Sequence, residues 1–167
     1  MVEHRVDWLD PVFVALSIMG SWSGVWLGIA LALTLAWRRP NVFLVVATTA
    51  LTTQLLTTLL KYAVGRDRPP TVVLDPEPLL EVPTTSSFPS GHSSSSFACA
   101  FVLSRFAPRL TVPLFVLAAL IAYSRVYVGV HYPLDVVAGA LFGLLVATAL
   151  LRLLGALRRS PPRTPGG

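Results

Sequence analysis

The chain has 167 residues and a mass of 18.0 kDa, of which 54% are hydrophobic and only 13% charged, with a mean hydropathy of +0.69. A soluble domain carries roughly 25% charged residues, so this composition excludes a soluble globule, and it equally excludes a disordered chain, collagen and, with Cys99 as the one cysteine, a disulfide scaffold. The net charge of +5 gathers on no basic stripe, because the arginines stand between apolar runs, where they set membrane topology instead of forming a nucleic-acid face.

In chain order, Pro11–Met19 is a short apolar stretch behind Asp10-Pro11, a helix start, and Gly20-Ser21 separates it from the longer run Ser21–Trp37. Arg38-Arg39-Pro40 closes that run. Asn41–Leu60 follows and ends at Lys61, and Ser90–Ala107 opens polar and turns apolar. Thr111–Val130 carries Arg125 near its end, and Pro133–Leu154 is nearly free of charge. A helix needs roughly 20 apolar residues to cross the hydrocarbon core. The expectation is an all-α polytopic transmembrane bundle, with about five crossings and Pro11–Met19 as an N-terminal interfacial helix, or else an extension of the first span. Residues 1–157 read as one membrane-embedded domain, and 158–167 as a disordered, basic and proline-rich cytoplasmic tail. Glu3, Asp7 and Asp10 take the place of a basic leader, so no cleavable signal peptide is expected. Asp75-Pro76-Glu77-Pro78 reads as an extended, irregular connection. His4 reads as a solvated tail residue, Cys99 as a small apolar packing residue among Phe97, Ala98 and Phe101, and Ser93–Ser96 as small residues that let helices pack closely.

Five crossings place Arg38, Arg39, Arg105, Arg109, Arg152, Arg158, Arg159 and Arg163 on one side with no acid among them, and every acidic residue on the other. The positive-inside rule assigns the arginine side to the cytoplasm, so the N-terminus and the loop Arg66–Ser87 face outward. The same outward side receives three unusual segments: Lys61 to Arg68-Pro69, Pro89-Ser90-Gly91-His92, and Ser124-Arg125 to His131 and Asp135.

Each piece has a chemical reason. Lys61, Arg68 and Arg125 are fixed cations, and arginine grips phosphate oxygens through paired hydrogen bonds. Ser90 and Gly91 at a helix N-terminus offer backbone N–H groups, and glycine admits an anion close to the backbone. Pro133 starts the last helix, so Asp135 in its first turn is placed to accept from one nitrogen of His131, leaving the other as a nucleophile. His92 is then free to act as general acid and afterwards as general base. No set of residues with metal-ligand spacing accompanies them, so neither metal nor cofactor is expected. Taken singly, Lys61 and Arg68 read as snorkelling residues, Pro-Ser-Gly-His as an ordinary helix start, and His131 with Asp135 as a structural pair. Arg125 within an apolar run is costly and by default functional. Arg66 and Asp67 read as a local pair, with substrate contact as the alternative.

These segments resemble the motifs of the type 2 phosphatidic acid phosphatase superfamily, which shares its helical core with the vanadium haloperoxidases. The pattern K-x6-R-P, P-S-G-H and S-R-x5-H-x3-D is met at Lys61, Arg68, Pro69, Pro89 to His92, Ser124, Arg125, His131 and Asp135. The resemblance spans Lys61–Asp135, with compatible helices on both sides. It implies phosphate binding by Lys61, Arg68, Ser90, Gly91 and Arg125, a phosphohistidine formed on His131, orientation by Asp135 and acid–base work by His92. Membrane phosphatases of that family usually have six crossings, one more than is counted here. The implied function is a metal-independent phosphatase of the cell membrane, acting on a lipid phosphate or polyprenyl diphosphate at the outer face. A vanadate-holding oxidative halogenation site and a catalytically silent protein that binds or transports phosphate lipids are the alternatives.

Overall fold

A computed structural model describes residues 5–72 and 77–159, and all regular structure among them is helical. His4, Asp75, Pro76 and residues 160–167 of the expected tail lie outside the described residues. The helices are α1 (Asp10–Met19), α2 (Gly24–Trp37), α3 (Pro40–Val64), α4 (Pro69–Val72), α5 (Gly91–Phe106), α6 (Thr111–Tyr127) and α7 (Pro133–Arg159). Prolines open α3, α4 and α7, as suits a first turn whose N–H groups lack intrahelical partners. Gly65, at a φ of 65°, closes α3 in the left-handed conformation that glycine adopts without penalty.

Three stretches are long and apolar enough to cross a membrane, namely Pro40–Val72, Pro108–Tyr127 and Pro133–Ala156, and α1 with α2 makes a fourth if that bent pair counts as one span. The run expected as a single first crossing, Ser21–Trp37, is one arm of this pair, which bends by 61°. Trp22 and Ser23 hold left-handed backbone at φ values of 53° and 60°, which breaks the helix there. Nothing in the composition of the run signals that break, because Trp is not a residue that favours this conformation. Outside the described bend, α7 continues through Arg159, so the helix includes the first two residues of the expected tail.

α5 is the axle of the bundle. It packs against α2, α3, α6 and α7, and Ser93 to Ser96, Ala98, Cys99, Ala100, Val102 and Leu103 are all buried. The buried Cys99 and the serine run therefore do the packing expected of them. The closest approach is to α7. A Cβ on Gly143 would sit 2.0 Å from the Ser94 carbonyl oxygen, and one on Gly139 would sit 2.6 Å from that of Ser90. A glycine pair four residues apart faces a run of serines, the small-residue arrangement by which helices meet in lipid. Trp26 of α2 buries its ring and donates from Nε1 to Ser96 Oγ at 3.1 Å, so the indole N–H is satisfied inside the apolar core.

Outward-facing leucines such as Leu44, Leu51, Leu55, Leu120, Leu141 and Leu145 stand exposed around the bundle. In water such a surface would aggregate; in a bilayer it meets acyl chains of equal polarity. The chain is a multi-pass membrane protein.

Candidate active site

The site forms where helix ends meet. α3 and α6 run toward it and end there, whereas α5 and α7 start there, so Lys61, Arg125, His92 and Asp135 arrive from four helices at one end of the bundle. Hydrogen bonds tie the starts of the two parallel helices: Ser90 N–H donates to the Asp135 carbonyl at 2.9 Å, and the Ser93 hydroxyl donates to Val136 O at 2.6 Å. Across this junction lies a cavity of about 260 Å³ lined by Lys61, Arg68, Gly91, His92, Arg125 and His131, together with the α1–α2 turn. The three segments expected to converge do so.

The cations are buried and aimed. Lys61 Nζ donates to the carbonyls of Ser86 and Ser87. Arg68 is held by Thr85 O at 2.8 Å through Nε and by Val130 O at 2.9 Å through Nη1. Arg125 donates through Nη1 to Ser17 Oγ, and its Nε is buried with no partner among the described residues. A buried guanidinium N–H without an acceptor is costly, and an anion in the cavity is the group that would satisfy it.

His131 sits in the loop between α6 and α7, under Arg68. Arg68 Nη1 lies 3.2 Å from His131 Nε2. A guanidinium only donates, so Nε2 is the acceptor and the ring hydrogen is on Nδ1. That nitrogen faces Asp135 Oδ2 at 3.5 Å and Ser87 Oγ at 3.4 Å. The tautomer thus leaves a lone pair on the nitrogen that faces the cations. Burial pushes the His131 imidazole down to about 3, Asp135 opposes the shift, and Arg68, Lys61 and Arg125 add to it. The ring is neutral at pH 7, as a nitrogen nucleophile must be.

Two placements differ from the sequence reading. Ser90 is fully buried behind the cavity: its N–H is bonded to Asp135 and its side chain caps α5 by accepting from Ser93 N at 3.5 Å. Arg66 does not pair with Asp67. It reaches across to Asp135 Oδ1 at 2.7 Å and lies 4.2 Å above the Tyr132 ring, while Asp67 is exposed. The buried carboxylate of Asp135 takes the arginine that sequence adjacency assigned to Asp67.

Sequence reasoning also missed Ser87, Ser17 and Ser21. Ser87 Oγ donates to Asp135 Oδ2 at 2.5 Å, and Tyr132 N–H donates to the same oxygen at 3.0 Å. Asp135, fully buried, therefore has an acceptor role toward every group around it. The signal for Ser17 and Ser21 was a serine pair at helical spacing in an apolar stretch, which by itself reads as packing.

Fold and site together define a membrane helix bundle that presents a neutral imidazole and three cations to one polar cavity. The chain belongs to the PAP2 superfamily, whose model matches residues 42–159. It is 33% identical over 146 residues to an undecaprenyl-diphosphatase of Sulfolobus acidocaldarius, covering 84% of this chain and 68% of that protein. A decaprenylphosphoryl-5-phosphoribose phosphatase of Mycobacterium tuberculosis is 34% identical over 163 residues, covering 96% of this chain and 79% of that protein. Among solved structures, the transmembrane PAP2 type phosphatidylglycerolphosphate phosphatase of Bacillus subtilis matches with a TM-score of 0.75 at 28% identity, over 96% of this chain and 83% of that one. The family resemblance carried by Lys61–Asp135 is borne out, and the chain is a membrane phosphatase of this family.

Proposed function

We propose that the protein hydrolyses a lipid phosphate or polyprenyl diphosphate through a phosphohistidine, without a metal, at the outer face of the cell membrane. The observation that carries the reading is the His131 tautomer: a neutral imidazole with its Nε2 lone pair turned to Arg68 inside a cation-lined cavity. Lys61, Arg68 and Arg125 bind the phosphate oxygens, and Gly91 lines the cavity where they would lie. His131 Nε2 attacks phosphorus while the bond to the leaving oxygen breaks, and His92 donates the proton that oxygen takes up. Asp135 stabilises the positive charge that develops on the His131 ring. In the second half, neutral His92 accepts a proton from water as the water oxygen attacks the phosphohistidine, releasing inorganic phosphate and restoring His131. Three fixed cations around the reacting centre repel a divalent ion, which supports a metal-free route.

Five crossings fit the bundle if α5 counts as one. Its 16 residues span only about 24 Å, yet it is enclosed by neighbours, so its serines need not meet lipid. α1 docks on the end of α6, with Phe13 stacked 4.2 Å from Tyr127, which suits a helix at the interface. Arg38, Arg39, Arg105, Arg109 and Arg152 fall at the bundle end away from the cavity, which supports an outward-facing site.

The test is phosphate release by detergent-purified protein from a panel of phosphatidic acid, phosphatidylglycerol phosphate and undecaprenyl diphosphate, with and without EDTA. Turnover of at least one lipid that persists in EDTA, disappears in His131→Ala and is blocked by orthovanadate is expected. Activity abolished by EDTA and restored by magnesium would refute the metal-free route.

A further inference from the structure

The bent pair α1–α2 supplies none of the groups in that scheme, yet its turn lies against His92. Ser21 Oγ is 3.3 Å from His92 Nε2 and also 3.3 Å from the Ser17 carbonyl oxygen. The contact leaves no spare room: a Cβ on Gly20 would lie 2.5 Å from Ile121 Cγ2 and 3.0 Å from His92 Cδ2. The Cδ2–Nε2 edge of the imidazole therefore faces the turn. From the same helix, Ser17 Oγ is the buried partner of Arg125 Nη1. Left-handed backbone at Trp22 and Ser23 persists only where its surroundings enforce it, and the packing of Gly20 and Ser21 on α5 and α6 is that enforcement.

We infer that Ser21 and Ser17 are positioning residues of the active site: Ser21 sets the tautomer and ring orientation of His92, and Ser17 sets the guanidinium of Arg125. This rests on the acid–base reading of His92. With its own hydrogen directed to Ser17 O, the Ser21 hydroxyl accepts, so Nε2 keeps a hydrogen in both ring states. The proton exchanged with substrate is then the one on Nδ1. It passes to the leaving oxygen as the P–O bond breaks, and Nδ1 recovers a proton from water as the water oxygen bonds to phosphorus. Ser21 thus favours one tautomer of the neutral ring and leaves the imidazolium with both hydrogens placed.

A positioning role through an acid differs from mere support, because it matters only when the leaving group needs a proton. The experiment compares Ser21→Ala, Ser21→Thr, Ser17→Ala and His92→Ala with wild type. The substrates are the lipid phosphate turned over fastest in the panel above, and p-nitrophenyl phosphate, whose leaving group needs little protonation. Ser21→Ala should lower kcat on the lipid about tenfold, a fraction of the roughly 100-fold or more that a general acid supplies. Its phosphoenzyme formation from p-nitrophenyl phosphate should change less than about twofold, and Ser21→Thr should restore lipid turnover. Ser17→Ala keeps the backbone carbonyl and loses only the Arg125 contact, so it should raise KM about fivefold on both substrates with little change in kcat. Equal losses on both substrates in Ser21→Ala, or no loss on either, would overturn the positioning role of Ser21. An unchanged KM in Ser17→Ala would overturn that of Ser17. If His92→Ala itself lacks leaving-group dependence, the acid–base reading fails first and the Ser21 inference falls with it.

Discussion

Replacing Asp135 by asparagine separates charge from shape at the centre of the site. The carboxylate accepts from Ser87 Oγ and Tyr132 N on Oδ2 and from Arg66 Nη1 on Oδ1. An asparagine keeps its oxygen toward Ser87 and Tyr132 and so turns its amide nitrogen on Arg66, donor against donor. The tautomer of His131 survives, because Arg68 still requires Nε2 to accept. What is lost is the negative charge 3.5 Å from His131 Nδ1. At an effective dielectric of about 20, a full unit charge on the ring would interact with it by about 5 kcal/mol. Half of that charge developed at the transition state gives about 2 kcal/mol, or roughly a 30- to 50-fold slower attack.

The measurement is single-turnover formation of acid-labile phosphoenzyme from a labelled activated substrate. Asp135→Asn should slow it by that factor without abolishing it, whereas His131→Ala should trap no phosphate at all. Arg66→Gln should stay within about fivefold of wild type, because Arg66 is 35% exposed and its pairing is screened. An Asp135→Asn rate within threefold of wild type would refute the electrostatic role. A large loss in Arg66→Gln instead would move that role to the arginine.

Four further outcomes are expected. With His131 held at about 3 when folded and near about 6.5 when unfolded, only the unfolded chain binds the proton between those values, so this stabilising contribution is complete above pH 6.5 and is lost as pH falls toward 3. Wild type should therefore lose more thermal stability between pH 7 and pH 5 in detergent than His131→Gln, and equal losses would contradict the burial argument. Gly143→Ala should destabilise the bundle by about 1–3 kcal/mol or prevent its recovery as a monodisperse species, since its Cβ would meet Ser94 O. Gly155→Ala, whose added Cβ would meet no described residue within 4 Å outside its own helix, should be neutral or stabilising by up to about 1 kcal/mol in the same denaturation assay. In a Cys99→Ala background, Glu81→Cys, at an exposed loop position, should react with an impermeant thiol reagent on intact cells; labelling only after lysis would reverse the orientation.

The residues proposed for the chemistry were legible because charge in an apolar chain has few bland explanations. Lys61, Arg68, Arg125, His131 and Asp135 stand at the ends of runs otherwise made of Leu, Val and Ala, and the count of crossings alone brings those ends to one side. The break at Trp22 and Ser23 was not legible, because the run around it has the hydropathy of an uninterrupted span. The close contact of α5 and α7 was half legible: the serine run reads as a packing surface, but nothing in the sequence marks Gly139 and Gly143 as the residues that meet it.

Hydroxyl groups explain the remaining gap. Serine in a helix commonly bonds its own backbone one turn back, as Ser94 Oγ does to Ser90 O at 3.0 Å and Ser21 Oγ does to Ser17 O at 3.3 Å. In sequence, the two serines are equivalent: each is small, uncharged and compatible with close packing. In the structure, the first is enclosed by the α5–α7 contact and the second shares its oxygen with His92. Which of these a serine does is decided by the element packed against it, and for Ser21 that element is a helix start seventy-one residues further along the chain. Charged groups announce a site because lipid makes them expensive wherever they point. Positioning hydroxyls cost little in either place, so only the fold distinguishes a serine that fills space from one that holds an imidazole.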